Sequence, residues 1–410
     1  MSRVQDRPEW RLMKLKDLLS EPLINGRSVV TRDDGFPVLR LTAIKPGGID
    51  ISEHKGGAWS RDQALPFLIK QRDFFVSRGN GSLDLVGRGA PVWESPIEVA
   101  FPDTMIRVRV RPDVISAAYL SRIWDSSYVR SQIERSVRTT SGIYKVNQRT
   151  LSEIKLWVPP LAHQSRISEV LDRVDDLRAK RREAIRLLGD LAQSIFIDMF
   201  GDPARNPLKW PMKKIGDLID SASYGTSEKA SEVGDLPVLR MGNITSSGRV
   251  DLSDLKFMDR ASTDEKYLIR RGDVLFNRTN SAELVGKSAI YRGNDDLAFA
   301  GYLVRVRVNA SNDPEYLAAF LNTQYAKRVL RGMSKSIVGM ANINARELQG
   351  IEVAEPPLPL QVEFAKRVGA VESLREIHRR HLVELDSLFA SLQDRAFRGE
   401  LWPDASVPAI

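Results

Sequence analysis

The stretch FNRTNSAELVGK, residues 276–287, sets Asn, Arg, Thr, Asn and Ser side by side and closes on Val-Gly-Lys. Alone it is compatible with a phosphate loop, a catalytic loop or a polar turn. VSRGNGSLDLVGR, residues 76–88, carries nearly the same pattern, so Arg78 and Asn80 stand 200 positions before Arg278 and Asn280. One extra residue in the earlier copy then brings Leu85-Val86-Gly87-Arg88 opposite Leu284-Val285-Gly286-Lys287. A loop that recurs with its spacing nearly intact raises the question of what else recurs.

Outward from this pair, the rest of the chain follows in register. EWRLMKLKDLLS (9–20) matches KWPMKKIGDLID (209–220), and PVLRLTAI (37–44) matches PVLRMGNI (237–244). IRVRV (106–110) matches VRVRV (304–308), SGIYKVNQRTL (141–151) matches VGMANINAREL (338–348), and VPPLAHQ (158–164) matches EPPLPLQ (355–361). The order never breaks, and the offset drifts only from 200 at Trp10/Trp210 to 197 at Leu151/Leu348. The chain therefore reads as two homologous halves of about two hundred residues, a period too long for a solenoid.

Each half changes character midway. Short alternating strands and turns rich in Gly, Asn, Asp and Pro come first, then a short helix (AAYLSRIWDSSYVRSQI, EYLAAFLNTQYAKRVL). After PPLAHQ and PPLPLQ comes a long stretch without Pro and nearly without Gly. Its apolar positions follow a heptad seam: Ile167, Val174, Leu177, Leu188, Leu191 and Ile195 in one half, Phe364, Val371, Leu374, Leu385, Leu388 and Leu392 in the other. Arg181 and its counterpart His378 interrupt it. At about 1.5 Å per residue, a helix of roughly 33 residues is about 50 Å long. The fold expected is α+β: two homologous α/β domains separated by two long antiparallel coiled-coil helices, with a pseudo-twofold internal repeat. The boundaries read as domain 1–158, helix 159–202, domain 203–356, helix 357–400 and tail 401–410.

Composition narrows the chemistry. With 410 residues and 42% hydrophobic content the chain builds a full core, and a net charge of +8 points to an acidic partner, nucleic acid before an anionic membrane. No apolar run reaches bilayer length, and MSRVQDRPEWRLMKL lacks a signal-peptide core. Cysteine is absent, which excludes disulfides and Cys-ligated zinc and is compatible with a reducing cytosol.

Motifs of catalysis are incomplete throughout the chain. The Pro-Pro pairs in WVPPL and AEPPL lack the polar residue before and the aromatic residue after that an amino-methyltransferase loop needs. No GxxxxGK[ST] occurs, and RGNGSLDLVGRG does not have GxGxxG spacing. Asp113 with Glu153-Ile154-Lys155 resembles a magnesium nuclease set, but the second half offers Glu315 and Gly350-Ile351-Glu352 and does not repeat it. His378 and His381 have helical spacing without a further ligand, and fit polar residues of the seam better than a metal site.

The duplicated polar loops suit DNA readout. Arg presents paired donors to guanine, Asn and Gln pair with adenine, and Ser, Thr and Lys hold phosphates. The candidates are Arg78, Asn80, Ser82 and Arg88 in the first half, with Ser141, Tyr144, Lys145 and Asn147 from a second loop. Their counterparts are Asn277, Arg278, Thr279, Asn280, Ser281 and Lys287, with Lys335, Ser336, Asn342 and Asn344. A solvated turn explains any one loop. Matched loops in both copies of a basic chain favour binding. GGIDISEHKGGAWSRD (47–62) and SSGRVDLSDLKFMDRAST (246–263) hardly correspond, the divergence two readers of different sequences need.

Together GDVLFNRTNSAELVGK, the Gly-x-x-x-Asn-Ile-Asn segment, PPL followed by Gln, MFGDP at the junction and AFRGEL near the end make the chain resemble the specificity subunits of Type I restriction–modification systems over nearly its whole length. The first half departs in SGIYKVNQ and PPLAHQ. The resemblance implies a non-catalytic, cytoplasmic bacterial or archaeal subunit for phage defence. Its two target recognition domains would each read half of a split asymmetric sequence in double-stranded DNA, with the helices as a ruler. Two methyltransferase subunits would dock around the helices, joined by restriction (translocase) subunits. S-adenosylmethionine, ATP and Mg2+ would sit on those partners, with no cofactor or metal on this chain and no membrane. Readers about 50 Å apart would span about fifteen base pairs. A stand-alone DNA-modifying or cleaving enzyme is the rival reading.

Overall fold

IRVRV and VRVRV become equivalent strands in two compact units. The structure, a computed structural model, describes residues 9–401 except 95, 96, 141, 282, 334, 338 and 339. One unit comprises the residues up to Lys180 and those from Leu382 onward, the other Arg181–His381. The architecture is mixed α+β.

In the first unit Met105–Val110 is an inner strand of a four-stranded antiparallel sheet, ordered Leu19–Asn25, Met105–Val110, Phe74–Ser77, Gly89–Pro91. Side chains alternate across a strand, so Ile106 and Val108 enter the helix-side core with Trp10, Tyr119, Trp124, Ile167 and Phe397. Met105 enters a second core with Leu39, Phe75 and Phe101. Arg107 and Arg109 are not the solvent face of a half-exposed strand, because Thr31–Leu39, His54–Gly57 and their loops cover that side. Arg109 forms a two-pronged pair with buried Asp73, Nε to Oδ1 at 2.5 Å and Nη2 to Oδ2 at 2.9 Å, and reaches Glu21 at 2.9 Å. Arg107 donates to Glu21 at 2.9 Å and stands 5.8 Å over the Phe101 ring.

The second unit has the same strand order: Ile219–Tyr224, Leu303–Val308, Val274–Asn277, Ser288–Ile290. Arg307 holds Asp273 as Arg109 holds Asp73, with Nε to Oδ1 at 2.8 Å. Lys256–Met258, from the divergent segment, joins Leu236–Leu239, Leu297–Phe299 and Leu268–Ile269 in a four-stranded sheet, with a parallel pairing at Val238↔Ala298. The first unit keeps there the antiparallel pair Thr31–Leu39 with His54–Gly57 and two isolated bridges, Val38↔Ala100 and Leu68↔Ala100. In each unit an early strand closes on the segment around Pro-Pro: Arg11–Lys14 on Lys155–Val158, and Met212–Lys214 on Glu352–Ala354.

The short helix expected in each half is two helices. Ser126 Oγ accepts from Val129 N and splits Ala117–Trp124 from Ser127–Ser136. Thr323 Oγ1 accepts from Ala326 N between Pro314–Leu321 and Gln324–Met333. Ser and Thr satisfy the free N–H groups of a helix start, so these hydroxyls restart the chain.

The long helices are Leu161–Phe200 and Leu358–Phe397, each 40 residues rather than the expected roughly 33. The first ends at Gly201, whose φ of +81° Gly adopts without a Cβ penalty. The Gln of each PPL motif is fully buried as a bracket. Gln164 accepts from Ser116 N and donates to Val114 O and Pro159 O, each at 2.8 Å. Gln361 accepts from Asp313 N at 2.9 Å and donates to Asn312 Oδ1 at 2.9 Å and Pro356 O at 2.7 Å.

Within the first unit the two helices meet at Arg178, whose Nε donates to Asp386 at 2.6 Å while its guanidinium lies 4.4 Å over the Phe389 ring. Within the second, Phe196 and Phe200 pack on Phe364 and Tyr316, and Arg181 Nη1 lies 3.0 Å from His378 Nδ1. Ile167, Val174, Phe364 and Val371 are buried, and Leu188, Ile195, Leu385 and Leu392 half-buried. Leu177, Leu191, Leu374 and Leu388, expected in the seam, are instead 44–47% exposed. A helix of about 3.6 residues per turn drifts off a strict heptad. The inward places pass to Leu171, Arg178 and Phe196, and to Val368, Arg375 and Phe389. Among the described residues no helix is long and apolar enough to cross a membrane.

Candidate nucleic-acid interface

The two polar loops of each half, separate in sequence, meet in one small sheet. In the first unit Gly79–Asn80 pairs with Ile143–Lys145, which pairs with Arg138–Thr140, placing Asn80 opposite Tyr144 and Gly79 opposite Lys145. In the second, Thr279–Asn280 pairs with Met340–Asn342, which pairs with Lys335–Ile337. Backbone bonds lock the arrangement: Val146 N to Arg78 O, and Ile343 N to Arg278 O, both at 2.9 Å. Each sheet therefore brings residues of both loops together, Asn80 with Tyr144 and Lys145 in one unit and Thr279 and Asn280 with Asn342 in the other.

On this sheet Arg78 is half-buried, its Nη1 donating to Asp103 O at 3.2 Å. Arg278 is more constrained. Its guanidinium lies 4.8 Å over the Tyr224 ring, Nη1 reaches Gly301 O at 3.5 Å, and buried Nε has no hydrogen bond. Asn80 Oδ1 accepts from Ser82 N at 3.1 Å, and Asn280 Oδ1 from Ser281 N at 2.9 Å. Their amide nitrogens make no hydrogen bond among the described residues and leave a donor for a base edge. Lys145, Arg88 and Ser281 are exposed, whereas Ser82, Tyr144, Asn342 and Lys287 are half-buried. Arg88 Nε donates to Asp84 O at 2.7 Å. Thr279 is buried, 3.5 Å from Asn342 Oδ1.

Three of the expected contacts also serve the scaffold. Asn147 and Asn344 cap short helices, each Oδ1 accepting at 2.9 Å from the N–H three residues on, because Asn satisfies a helix start as readily as a base edge. Asn277 is fully buried and donates to Met241 O at 3.1 Å. Ser141 and the side chains of Lys335 and Ser336 fall outside the described residues.

The Val-Gly that closes each polar loop is structural too. Val86 and Val285 enter the core, and Gly87 and Gly286 have φ of +70° and +80°. A Cβ on Gly87 would meet Ile133 at 2.5 Å. Arg130 Nη1 grips the first loop at Val86 O, 2.6 Å, and Lys327 Nζ the second at Gly286 O, 2.9 Å. Burial, reinforced by Lys287 and Arg331, pushes Lys327 down to about 8. Sequence reading missed both brackets. Their signal was a cation at matching positions of the two short helices.

The nuclease-like Glu153 is engaged elsewhere, bonded to Lys14 and Lys16, which hold its carboxyl down to about 2. Among the described residues no group of three or more His, Cys, Asp or Glu could hold a metal ion.

Two α+β units of like strand order, each carrying a small polar sheet, together with two 40-residue helices, define a two-module protein. The chain belongs to the family described as Type I restriction modification DNA specificity domain, whose model matches residues 127–187 and 207–387. It is 25% identical over 406 residues to the Type I restriction enzyme EcoKI specificity subunit of Escherichia coli K12, covering 90% of this chain and 83% of that protein. The StySPI specificity subunit of Salmonella potsdam is 24% identical over 400 residues, with the same coverage of each chain. The solved S subunit of a Type I system from M. genitalium matches with a TM-score of 0.56 at 13% identity, covering 97% of both chains. A chain from a structure of Type I R-M complex assembly and conformational transition matches with a TM-score of 0.56 at 20% identity, covering 96% of this chain and 99% of that one. At these identities the solved structures speak for the fold.

Proposed function

We propose that this chain is the non-catalytic DNA-recognition subunit of a Type I restriction–modification system, each unit reading one half of a bipartite asymmetric target. The observation that carries this reading is the duplicated polar sheet, with Arg78 and Asn80 in one unit and Arg278 and Asn280 at the matching places of the other. Phosphates meet Lys145 and Arg88, or Lys287, while Arg and Asn face base edges. The repeat is a pseudo-twofold duplication, and the long helices pair as an antiparallel coiled coil that sets the spacing.

Partner subunits supply the reactions. Leu177 and Leu374, then Leu191 and Leu388, are exposed at equivalent places in the two helices. Exposed apolar residues recurring at matched positions suit two copies of one partner, here methyltransferase subunits, joined by restriction subunits. S-adenosylmethionine, ATP and Mg2+ reside on those partners in a bacterial or archaeal cytoplasm, and none on this chain.

The test is an exchange of residues 1–158 for those of a relative, read by mapping methylated positions in cells with the methyltransferase subunit. One half-site changes and the other stays. Change in both half-sites defeats the modular reading, and methylation or cleavage by the chain alone defeats the non-catalytic one. Within the second unit, Arg278→Ala relaxes specificity at a single base position by about 1–3 kcal/mol. Lys287→Ala weakens binding to all sequences alike and lowers the salt slope by about one. Competition binding with single-base variants of the site separates the two effects.

A further inference from the structure

The two units fill the space between their helices differently. In the first, Arg178 is satisfied on three sides: Nε donates to Asp386 at 2.6 Å, Nη1 to Asp175 at 2.7 Å, and the guanidinium lies over Phe389. Arg122 adds its own bonds to Asp172 and Asp175 at 2.7 and 2.9 Å. Shifted by 197, the offset that aligns Tyr119 with Tyr316 and Phe397 with Phe200, this cluster has a counterpart in the second unit. Arg178 becomes Arg375 and Asp175 becomes Glu372, but Asp386, Phe389, Arg122 and Asp172 become Gly189, Ala192, Ala319 and Gly369. One carboxylate partner survives, while the facing carboxylate and ring are gone.

In their place is a cavity of about 1250 Å³, lined among others by Gly189, Ala192, Ala319, Glu372, Arg375 and Arg379. The Arg375 side chain is only 8% exposed, yet its Nε has no hydrogen bond, and its carboxylate contact is Glu372 on its own helix. Arg379 pairs with Glu376 on its own helix at 3.2 Å and likewise leaves a buried Nη2 without a partner. Arg249 approaches Glu372 and Glu376 only at 3.9 and 3.8 Å. Burying guanidinium groups with too few carboxylates is costly, and an incoming carboxylate relieves the cost. A Cβ on Gly189 would stand 3.4 Å from Arg375 Nη2, so the space next to the guanidinium is the space Asp386 occupies in the first unit.

We propose that this cavity seats a segment of the methyltransferase subunit that presents a carboxylate and an aromatic ring about one helical turn apart. The carboxylate bonds Arg375 and Arg379, and the ring takes the place that Phe389 holds in the first unit. The chemistry is dictated by the chain's own filled copy. Buried arginine and aromatic anchors dominate association energies, and the volume exceeds the roughly 300–1,000 Å³ of small-ligand pockets, which favours a peptide segment. The inference deepens the partner reading above and rests on it.

The experiment rebuilds the first unit's filling in the full-length chain as Gly189→Asp with Ala192→Phe, and separately makes Arg375→Met. Titrations with the purified methyltransferase subunit are followed by native mass spectrometry, with DNA affinity and thermal unfolding measured alongside. In both variants occupancy of one methyltransferase site weakens at least tenfold while DNA affinity stays within twofold, and the double variant melts no lower than the parent. If the double variant does not fold, Arg375→Met decides. Unchanged methyltransferase binding overturns the proposal, and so does a tenfold loss of DNA affinity with partner binding kept, which would make the arginines a phosphate site. A photo-crosslinking benzoylphenylalanine at position 192, in the assembled complex, captures a segment with Asp or Glu within four residues of an aromatic; a segment without that pair also overturns it. The exchange of residues 1–158 stays independent, since a half-site switch with no effect here rejects only this inference.

Discussion

Replacing Asp273 with Ala lowers the stability of the second unit by about 3–5 kcal/mol, the cost of leaving buried charge unpaired. Asp273 accepts from Arg307 Nε and Nη2 at 2.8 and 3.2 Å and from Arg270 N at 2.8 Å, with Arg305 Nε at 3.8 Å. Arg305 is 5% exposed and cannot turn to solvent. Burial already holds it below the usual guanidinium range, and the neighbouring Arg307 adds to that. The first unit provides the internal control. There Glu21 shares the load, accepting from Arg107 and Arg109, whereas its place opposite Arg307 is taken by Ser221. Asp73→Ala therefore costs less than Asp273→Ala. Urea unfolding of the full chain, read by hydrogen exchange on peptides from each unit, measures both. A loss below about 1 kcal/mol at Asp273 would mean that water reaches these arginines.

The same arginines show where sequence pattern stops being informative. IRVRV and VRVRV read correctly as alternating strands, because a period of two survives whichever faces are covered. What covers the second face was not visible, since that layer is assembled by pairings distant in sequence, Val38 with Ala100 and Val238 with Ala298. Duplication was legible because register, Trp10/Trp210 and PPL with its Gln repeat at a nearly fixed offset. Local hydrogen bonding was not: Ser126 and Thr323 each cut an expected helix in two. Asn147 and Asn344, expected at base edges, also cap short helices by the same chemistry. The meeting of the two polar loops in one sheet depends on pairings 64 and 61 residues apart in sequence, Asn80 with Tyr144 and Asn280 with Ala341, which no local signal encodes. The seam failed at four leucines because a heptad assumes supercoiling throughout, whereas the inward positions of these helices are shared by arginine stems.

Insertion of one heptad after Lys180 and another after His381 abolishes recognition of the original bipartite site and creates recognition of one with a longer spacer. Both insertion points lie inside the 40-residue helices, where the chain passes from one compact unit to the other. Seven residues add about 10.5 Å of helix, equivalent to about three base pairs at roughly 3.4 Å each. A whole heptad preserves which helix faces meet, so Arg178 keeps Asp386 and Arg181 keeps His378 within their units. With both half-sites no longer reachable at the old spacing, binding falls toward the non-specific level, a loss of roughly 4–10 kcal/mol. Two weak readers bind tightly only when a single duplex satisfies both, and the effective concentration of the second collapses once the geometry misses. Measuring affinity over a series of spacers shows an optimum displaced by about three base pairs. An optimum left at the original spacer would mean that the helices do not set the distance, and that the DNA or a partner subunit does.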